Sequence, residues 1–390
     1  MHFGLKLSLL LTSGILIRIF LFSMCSNDML EYLSDRIEVL SVFTSFRRIS
    51  EGKFLVSSGM DPYSSQYFRM NPLVASFLFQ VIESKVSTYI FAVVCDVVTA
   101  ILIARASDAY SLPAAAMFFL NPYTILSELG LSSQSVHVLV MALLIFSVMK
   151  EKKVMLTSLW LALLMVLKPL VPIVLVFPIA LNLKRPLLQI LIASIGFTCL
   201  ILSLSYFVSG SWSFFWRSIW EPILVSRDLE PNMGMAWCLF SMMFPDSLPL
   251  FRLVFQLHLL VFLYPVYIRF LKTSEPSRNQ RFLQLTMAAV ILFQLYPTGI
   301  DYSMFFSVMF ACEPRFHDKI SLLVTQTVLA GLAFTSVTGP LWIERNTGNG
   351  NFLFSLSIVT TFLGTAAVGH SFTLARLDGY TVQEKKNKSE

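Results

Sequence analysis

Long apolar runs with scarcely a charge recur along this chain, separated by short polar turns or by proline-marked breaks. Since a helix needs roughly 20 predominantly apolar residues to cross a bilayer, the runs 5–23, 86–104, 112–128, 132–149, 154–167, 170–183, 187–208, 249–271, 281–296, 300–314, 319–338 and 352–374 predict about twelve transmembrane helices. Several are short. Those flanking Lys168-Pro169 and Pro297-Thr298 read as spans or as re-entrant, broken helices, which a membrane tolerates when the freed backbone groups are buried in protein. FLNPYTIL (119–126) places an Asn-Pro break and a polar end on an otherwise apolar run.

Two stretches interrupt the pattern. Residues 24–85 form a long first loop, in which Ile37, Leu40, Val42, Phe43, Phe46 and Ile49 recur at helical spacing opposite Arg36, Glu38, Arg47, Arg48 and Glu51. That spacing predicts an amphipathic helix lying in the membrane interface. Residues 209–248 form a second loop carrying Trp212, Trp216, Trp220 and Trp237, an aromatic set suited to headgroup depth. The two loops are expected to meet.

Composition agrees: 56% of the residues are hydrophobic, 13% are charged and the mean hydropathy is +0.71, whereas soluble domains carry about 25% charge. The fold class expected is all-α, a single polytopic membrane domain over 1–390 with a polar tail at 375–390. Basic residues in short loops divide seventeen to four in favour of the side holding both termini, which makes that side cytosolic and the two long loops non-cytosolic. The net charge of +6 is spread over many turns with no dense basic stripe, which argues against nucleic-acid binding. The first helix reads as a retained signal anchor, since Arg18 lies inside it and no small-x-small cleavage site follows.

Candidate chemistry is sparse. No histidine pairs with another at i, i+4 or with a cysteine, so neither a metal site nor a cofactor is expected. Cys25 and Cys238 fall on the same side without CxxC spacing, leaving a bridge or inert packing open. Asp35 and Glu38 stand three apart with Arg36 between; they read either as a pair for acid–base or metal work, or as an ion pair to a loop arginine and a residue on the wet face of a helix. Asp96, an acid within a span, is either functional or a buried structural anchor. Asp301 reads as a cap for the helix after YPTG, and Lys168 as a phosphate contact or a snorkelling cation.

A long first loop with interfacial helices followed by many spans resembles the C-type fold of glycosyltransferases that use dolichol-linked sugars, where an acidic pair in the first loop serves the transfer. A closer resemblance is to the PIG-U family, the U subunit of glycosylphosphatidylinositol (GPI) transamidase. It rests on SDRIEV (34–39), FTSFRRISEG (43–52), DPYS (61–64) with NPL (71–73), Asp96 with Thr99-Ala100, FLNPYTIL, DLEPNMGMAW (228–237), YPTGID (296–301) and NGNF (349–352), in family order along nearly the whole chain. The family often carries an extended cytosolic segment after its second span; here Arg105 to Leu112 is a bare turn.

The resemblance implies a noncatalytic subunit of the endoplasmic reticulum membrane, partnered by other transamidase subunits including a luminal cysteine-protease-like one, and helping to hold the GPI lipid among membrane lipids. A GPI headgroup asks for hydrogen-bond donors and acceptors at the luminal surface, which Asn and Gln supply without an intramembrane charge. The candidates are Asn349 and Asn351 in a Gly-rich turn that could cradle a phosphate, Asn121, Gln134 and Asn232, with Asp35 and Arg36 from the first loop. For Asn121 and Asn232 helix or turn capping is an equal reading. The alternative function is a mannosyltransferase using a dolichyl-phosphate sugar, with Asp35 or Glu38 as base. The tail KKNKSE resembles a dilysine signal for the endoplasmic reticulum.

Overall fold

The computed structural model describes residues 2–39, 41, 43–65, 67–106, 111–169, 171–221, 229–271, 278–312 and 319–387. Among them every regular element is helical. Six helices are long and apolar enough to cross a membrane: Phe3–Met24, Lys85–Ala106, Gln134–Glu151, Leu187–Ser209, Leu248–Ile268 and Gly350–Thr373. Four shorter apolar helices, Pro72–Val81, Val154–Leu167, Val171–Leu183 and Gly299–Ala311, fill the bundle between them. The protein is a polytopic all-α membrane protein. The bare turn expected after Arg105 lies mostly outside the described residues, as do Cys312's side chain and the dilysine residues' side chains.

The breaks fall where the backbone chemistry puts them. Asn121 ends the helix Ser111–Phe119 and caps Pro122–Leu129, its Oδ1 accepting from Tyr123 N at 3.0 Å with proline at the first helical position. Asn71 does the same for Pro72–Val81, and its Oδ1 also accepts from Ser205 Oγ at 2.9 Å, fixing that helix on Leu187–Ser209. The helices beside Lys168-Pro169 and Pro297-Thr298 stop at Leu167 and Leu292 and resume at Val171 and Gly299.

The inner helices bury Phe118, Leu164, Leu175, Ile179, Leu285, Ile291 and Phe305 in one apolar core. The outer ones do the reverse: Leu188, Ile192, Ile195 and Phe207 on the 187–209 helix, and Val261 and Phe262 on the 248–271 helix, face outward. Apolar area of that extent marks a lipid-facing surface.

The amphipathic helix of the first loop begins later than its periodicity predicts. Residues 35–39, 41 and 43–45 are turns, and the helix runs Phe46–Ser57 after the short helix Asn27–Ser34. The backbone of this stretch is bonded across the molecule: Glu38 O accepts from Gly299 N at 2.7 Å, and Thr44 O accepts from Ser133 N at 3.1 Å. With those carbonyls engaged outside the segment, the i, i+4 pattern among the described residues is interrupted, Ser45 N to Ser41 O at 3.2 Å being the bond of that kind within it. Trp237 also departs from its expected place; it is buried and stacked on Trp342 at 6.0 Å, while Trp212, Trp216 and Trp220 remain exposed.

Candidate functional site

Two polar junctions tie the long loops to the bundle and to each other, and a third lies inside the bundle. The first centres on Arg36. Its guanidinium donates to both Glu38 oxygens, Nε to Oε2 at 3.1 Å and Nη2 to Oε1 at 2.6 Å, and Nη2 also donates to the Ser336 carbonyl. That carbonyl lies in the helix Lys319–Ile343, four residues before Pro340. Proline has no N–H to offer the i−4 carbonyl, so Arg36 supplies the donor that the helix lacks. Tyr123 OH adds a contact to Ser336 Oγ at 3.3 Å, and Tyr32 OH one to Glu344 at 3.3 Å. The Glu38 contact holds the Arg36 pKa above its ordinary value, against a smaller opposing effect of burial.

Glu38 is fully buried, not on a wet helix face as one sequence reading had it, because Arg36 neutralises it and Gly299 binds its carbonyl. Asp35 is exposed, 3.8 Å from Arg47. The two carboxylates thus sit in opposite environments and present no joint acid–base pair. Gly299 admits no side chain: a Cβ there would stand 2.6 Å from the Tyr123 ring.

The second junction is inside. Asp301 accepts from Gln134 Nε2 at 2.9 and 3.0 Å, from Thr298 N and Oγ1 at 3.0 Å, and from Lys168 Nζ at 2.6 Å. The Thr298 bonds are the expected helix cap. Lys168 neither snorkels nor stands free; its second bond is to Gln294 Oε1 at 2.6 Å. Deeper, Arg18 is clasped to Glu128 at 2.7 Å with both side chains buried, donates to Phe119 O at 2.8 Å and covers the Phe119 ring at 3.9 Å. Asp96 lies fully buried and accepts from Ser135 Oγ at 3.1 Å.

The third junction joins the loops themselves. Arg48 pairs with Glu230 at 2.5 Å, so the first and second loops do meet. Asn232 is buried: its Oδ1 accepts from Gly234 N at 2.8 Å, and its Nδ2 donates to Glu230 O and Leu295 O. Beside it the Trp237–Trp342 stack supports the turn that leads to Asn349 and Asn351. Asn349 Oδ1 accepts from Asn351 N at 3.0 Å, capping the last helix, and both asparagines are exposed.

The sequence candidates therefore separate by exposure. Asn121, Gln134 and Asn232 are buried in caps, ion-pair support and a turn; Arg36 is part of a clamp; only Asp35, Asn349 and Asn351 face outward. Sequence reasoning passed over Glu128, Glu230 and Ser336. For Glu128 a signal was present, a carboxylate ending an apolar run with an arginine in another span. For Ser336 the signal was Pro340 four residues on.

Residues 12–360 match the profile of the family described as GPI transamidase subunit PIG-U. The chain belongs to the PIG-U family. Relatives of this PIG-U family member include the GPI-anchor transamidase component PIGU of Homo sapiens and that of Cricetulus griseus, each 27% identical over 401 residues, covering 90% of this chain and 89% of the relative. The GPI transamidase component GAB1 of Saccharomyces cerevisiae is 26% identical over 341 residues, covering 84% of each. The matched region contains all three junctions and the Asn349–Asn351 turn, so the arrangement described above is built from residues within the family match.

Proposed function

We propose that this PIG-U family member is a noncatalytic subunit of the GPI transamidase of the endoplasmic reticulum membrane, and that it holds the GPI lipid while a luminal cysteine-protease-like subunit carries out the acyl transfer. The observation that carries this reading is the family match over 12–360, which places the chain with proteins named as GPI transamidase components. The site geometry supports it: a packed polar frame supplies rigidity, and the exposed Asn349 and Asn351 at its edge offer amide groups to a glycan or inositol phosphate. In this reading Asn121, Gln134, Asn232 and Arg36 shape the frame, and Asp35 lies at its rim.

The same reading takes the chain as a C-type fold of twelve passes, the six long helices together with the runs 112–128, 154–167, 170–183, 281–296, 300–314 and 319–338, with both termini cytosolic and the loops at 24–85 and 209–248 luminal. Sugar transfer gains nothing from the geometry, because Glu38 is locked to Arg36 and Asp35 stands apart in solvent.

Affinity purification from gently solubilised membranes tests the subunit role: a stable complex containing a protease-like subunit and bound GPI is expected, and a solitary protein that transfers mannose would overturn it. Asn351→Lys tests the lipid contact. GPI co-purifying with the complex should fall several-fold while subunit composition is preserved; unchanged GPI content removes the asparagine turn from the site.

A further inference from the structure

An open cleft whose lining does not include the Asn349–Asn351 turn lies among the first loop, the start of the 171–183 helix, the middle of the 248–271 helix and the break after Leu292. Its walls are largely apolar, Val174, Leu259 and Phe293 among them, and its polar lining is Lys168 with Gln294, Ser41 and Gln256.

The polar corner is unbalanced toward donors. Asp301 accepts from four donors on three residues, so it draws on only one of the Lys168 protons. Lys168 spends two protons, on Asp301 and Gln294 Oε1, and an ammonium has three. Gln294 Nε2 is buried with two further protons and no partner among the described residues. Buried donors left without acceptors are costly. A sugar would answer them and leave the apolar walls wet; a plain hydrocarbon would fill the walls and leave the donors unmet. A phosphodiester headgroup on an acyl chain answers both, since its oxygens are acceptors and a lysine ammonium is suited to phosphate.

We propose that this cleft holds a glycerophospholipid of the surrounding bilayer, distinct from GPI, with its phosphodiester at Lys168 and Gln294 and one acyl chain along Val174, Leu259 and Phe293. The bound lipid fills the space between the first loop and the 248–271 helix and makes that loop's position dependent on the membrane.

The full-length protein, reconstituted in phosphatidylcholine vesicles containing a trace of phosphatidylcholine with a diazirine on its acyl chain, tests this by illumination and peptide mapping. Adducts are expected on 171–174, 256–259 and 290–293, and Gln294→Leu should reduce them at least three-fold, with labelling at the outward-facing Ile192 and Ile195 as the internal reference. Leu259→Trp, which fills the cleft, should do the same; Gln294→Leu carries the test alone where the tryptophan variant does not fold. Equal cleft labelling in Gln294→Leu overturns the proposal. So does equal labelling by a diazirine diacylglycerol, which lacks the phosphate. Displacement of the label by added GPI at low mole fraction would assign the cleft to GPI and overturn it likewise.

Discussion

Removing Arg36 should do two separable kinds of damage. Arg36→Ala leaves the fully buried Glu38 without its cation. Breaking a buried pair by deleting one partner costs about 3–5 kcal/mol, reduced here to about 2–3 kcal/mol because the Arg36 side chain keeps 17% exposure and water reaches the pair. It also strips the Ser336 carbonyl of its donor, for about 1–2 kcal/mol more. The sum is about 3–5 kcal/mol. Arg36→Lys keeps the charge but loses the forked geometry and should cost about 1–2 kcal/mol. The second term has its own signature: Pro340→Ala returns an N–H to the 319–343 helix, so the Ser336 carbonyl no longer depends on Arg36. Equilibrium unfolding in mixed micelles of wild type, Arg36→Ala, Pro340→Ala and the double variant forms a thermodynamic cycle. Arg36→Ala should be less damaging in the Pro340→Ala background by about 1–2 kcal/mol. Strict additivity of the two substitutions would refute the donor-replacement argument, and a neutral Arg36→Ala would refute the clamp altogether.

Other outcomes follow from the same contacts. Asp301→Ala leaves Lys168 buried without its carboxylate and uncaps the 299–312 helix, for a loss of about 3–4 kcal/mol in the same unfolding assay. Gly299→Val drives a side chain into Tyr123 and should abolish monodisperse protein on size-exclusion chromatography, whereas Gly196→Ala on the 187–209 helix, where an added Cβ meets nothing within 4 Å, should leave the elution profile intact. Lys85 holds Glu31 below the ordinary carboxylate range, so their contact persists above the unfolded-state pKa and is lost as pH falls through the lowered value; hydrogen-exchange protection factors over 27–34, taken relative to the intrinsic rate at each pH, should fall in acid, and Glu31→Gln should remove that pH response. The chain has one Asn-x-Ser/Thr sequon, Asn387-Lys388-Ser389; on the proposed topology it carries no glycan, while a sequon built into 345–350 on an extended insert is modified, and glycosylation of Asn387 would make the C-terminus luminal and the count of twelve wrong by an odd number.

The parts of this fold legible in the sequence are those set by local chemistry. The Asn-Pro breaks at 71–72 and 121–122, the Thr298–Asp301 cap and the apolar runs follow from side chains acting on their own backbone. What escaped is carried by distant partners. Ile37, Phe43 and Ile49 kept a helical period, yet the intervening carbonyls of Glu38 and Thr44 serve Gly299 and Ser133, and nothing in the period announces that. Glu38 read as wet because its neighbours are polar; its burial depends on the 319–343 helix arriving three hundred residues later. At the candidate site the residue types were visible, but their division into frame and exposed edge required knowing which amides already had partners.

The clasp between Arg18 and Glu128 also constrains how the chain is made. An arginine within an isolated span costs about 2.5–3.5 kcal/mol to insert at the bilayer centre, and its carboxylate lies 110 residues further along. At ordinary synthesis rates of about 5–20 residues per second, the first helix waits on the order of 5–20 s before its counter-ion has even been translated. During that interval the guanidinium lacks its carboxylate, and snorkelling toward the surface is the way an arginine on an apolar helix lowers that cost. The charge pair thus makes the final placement of the first helix depend on a segment translated well after it, the helix Pro122–Leu129.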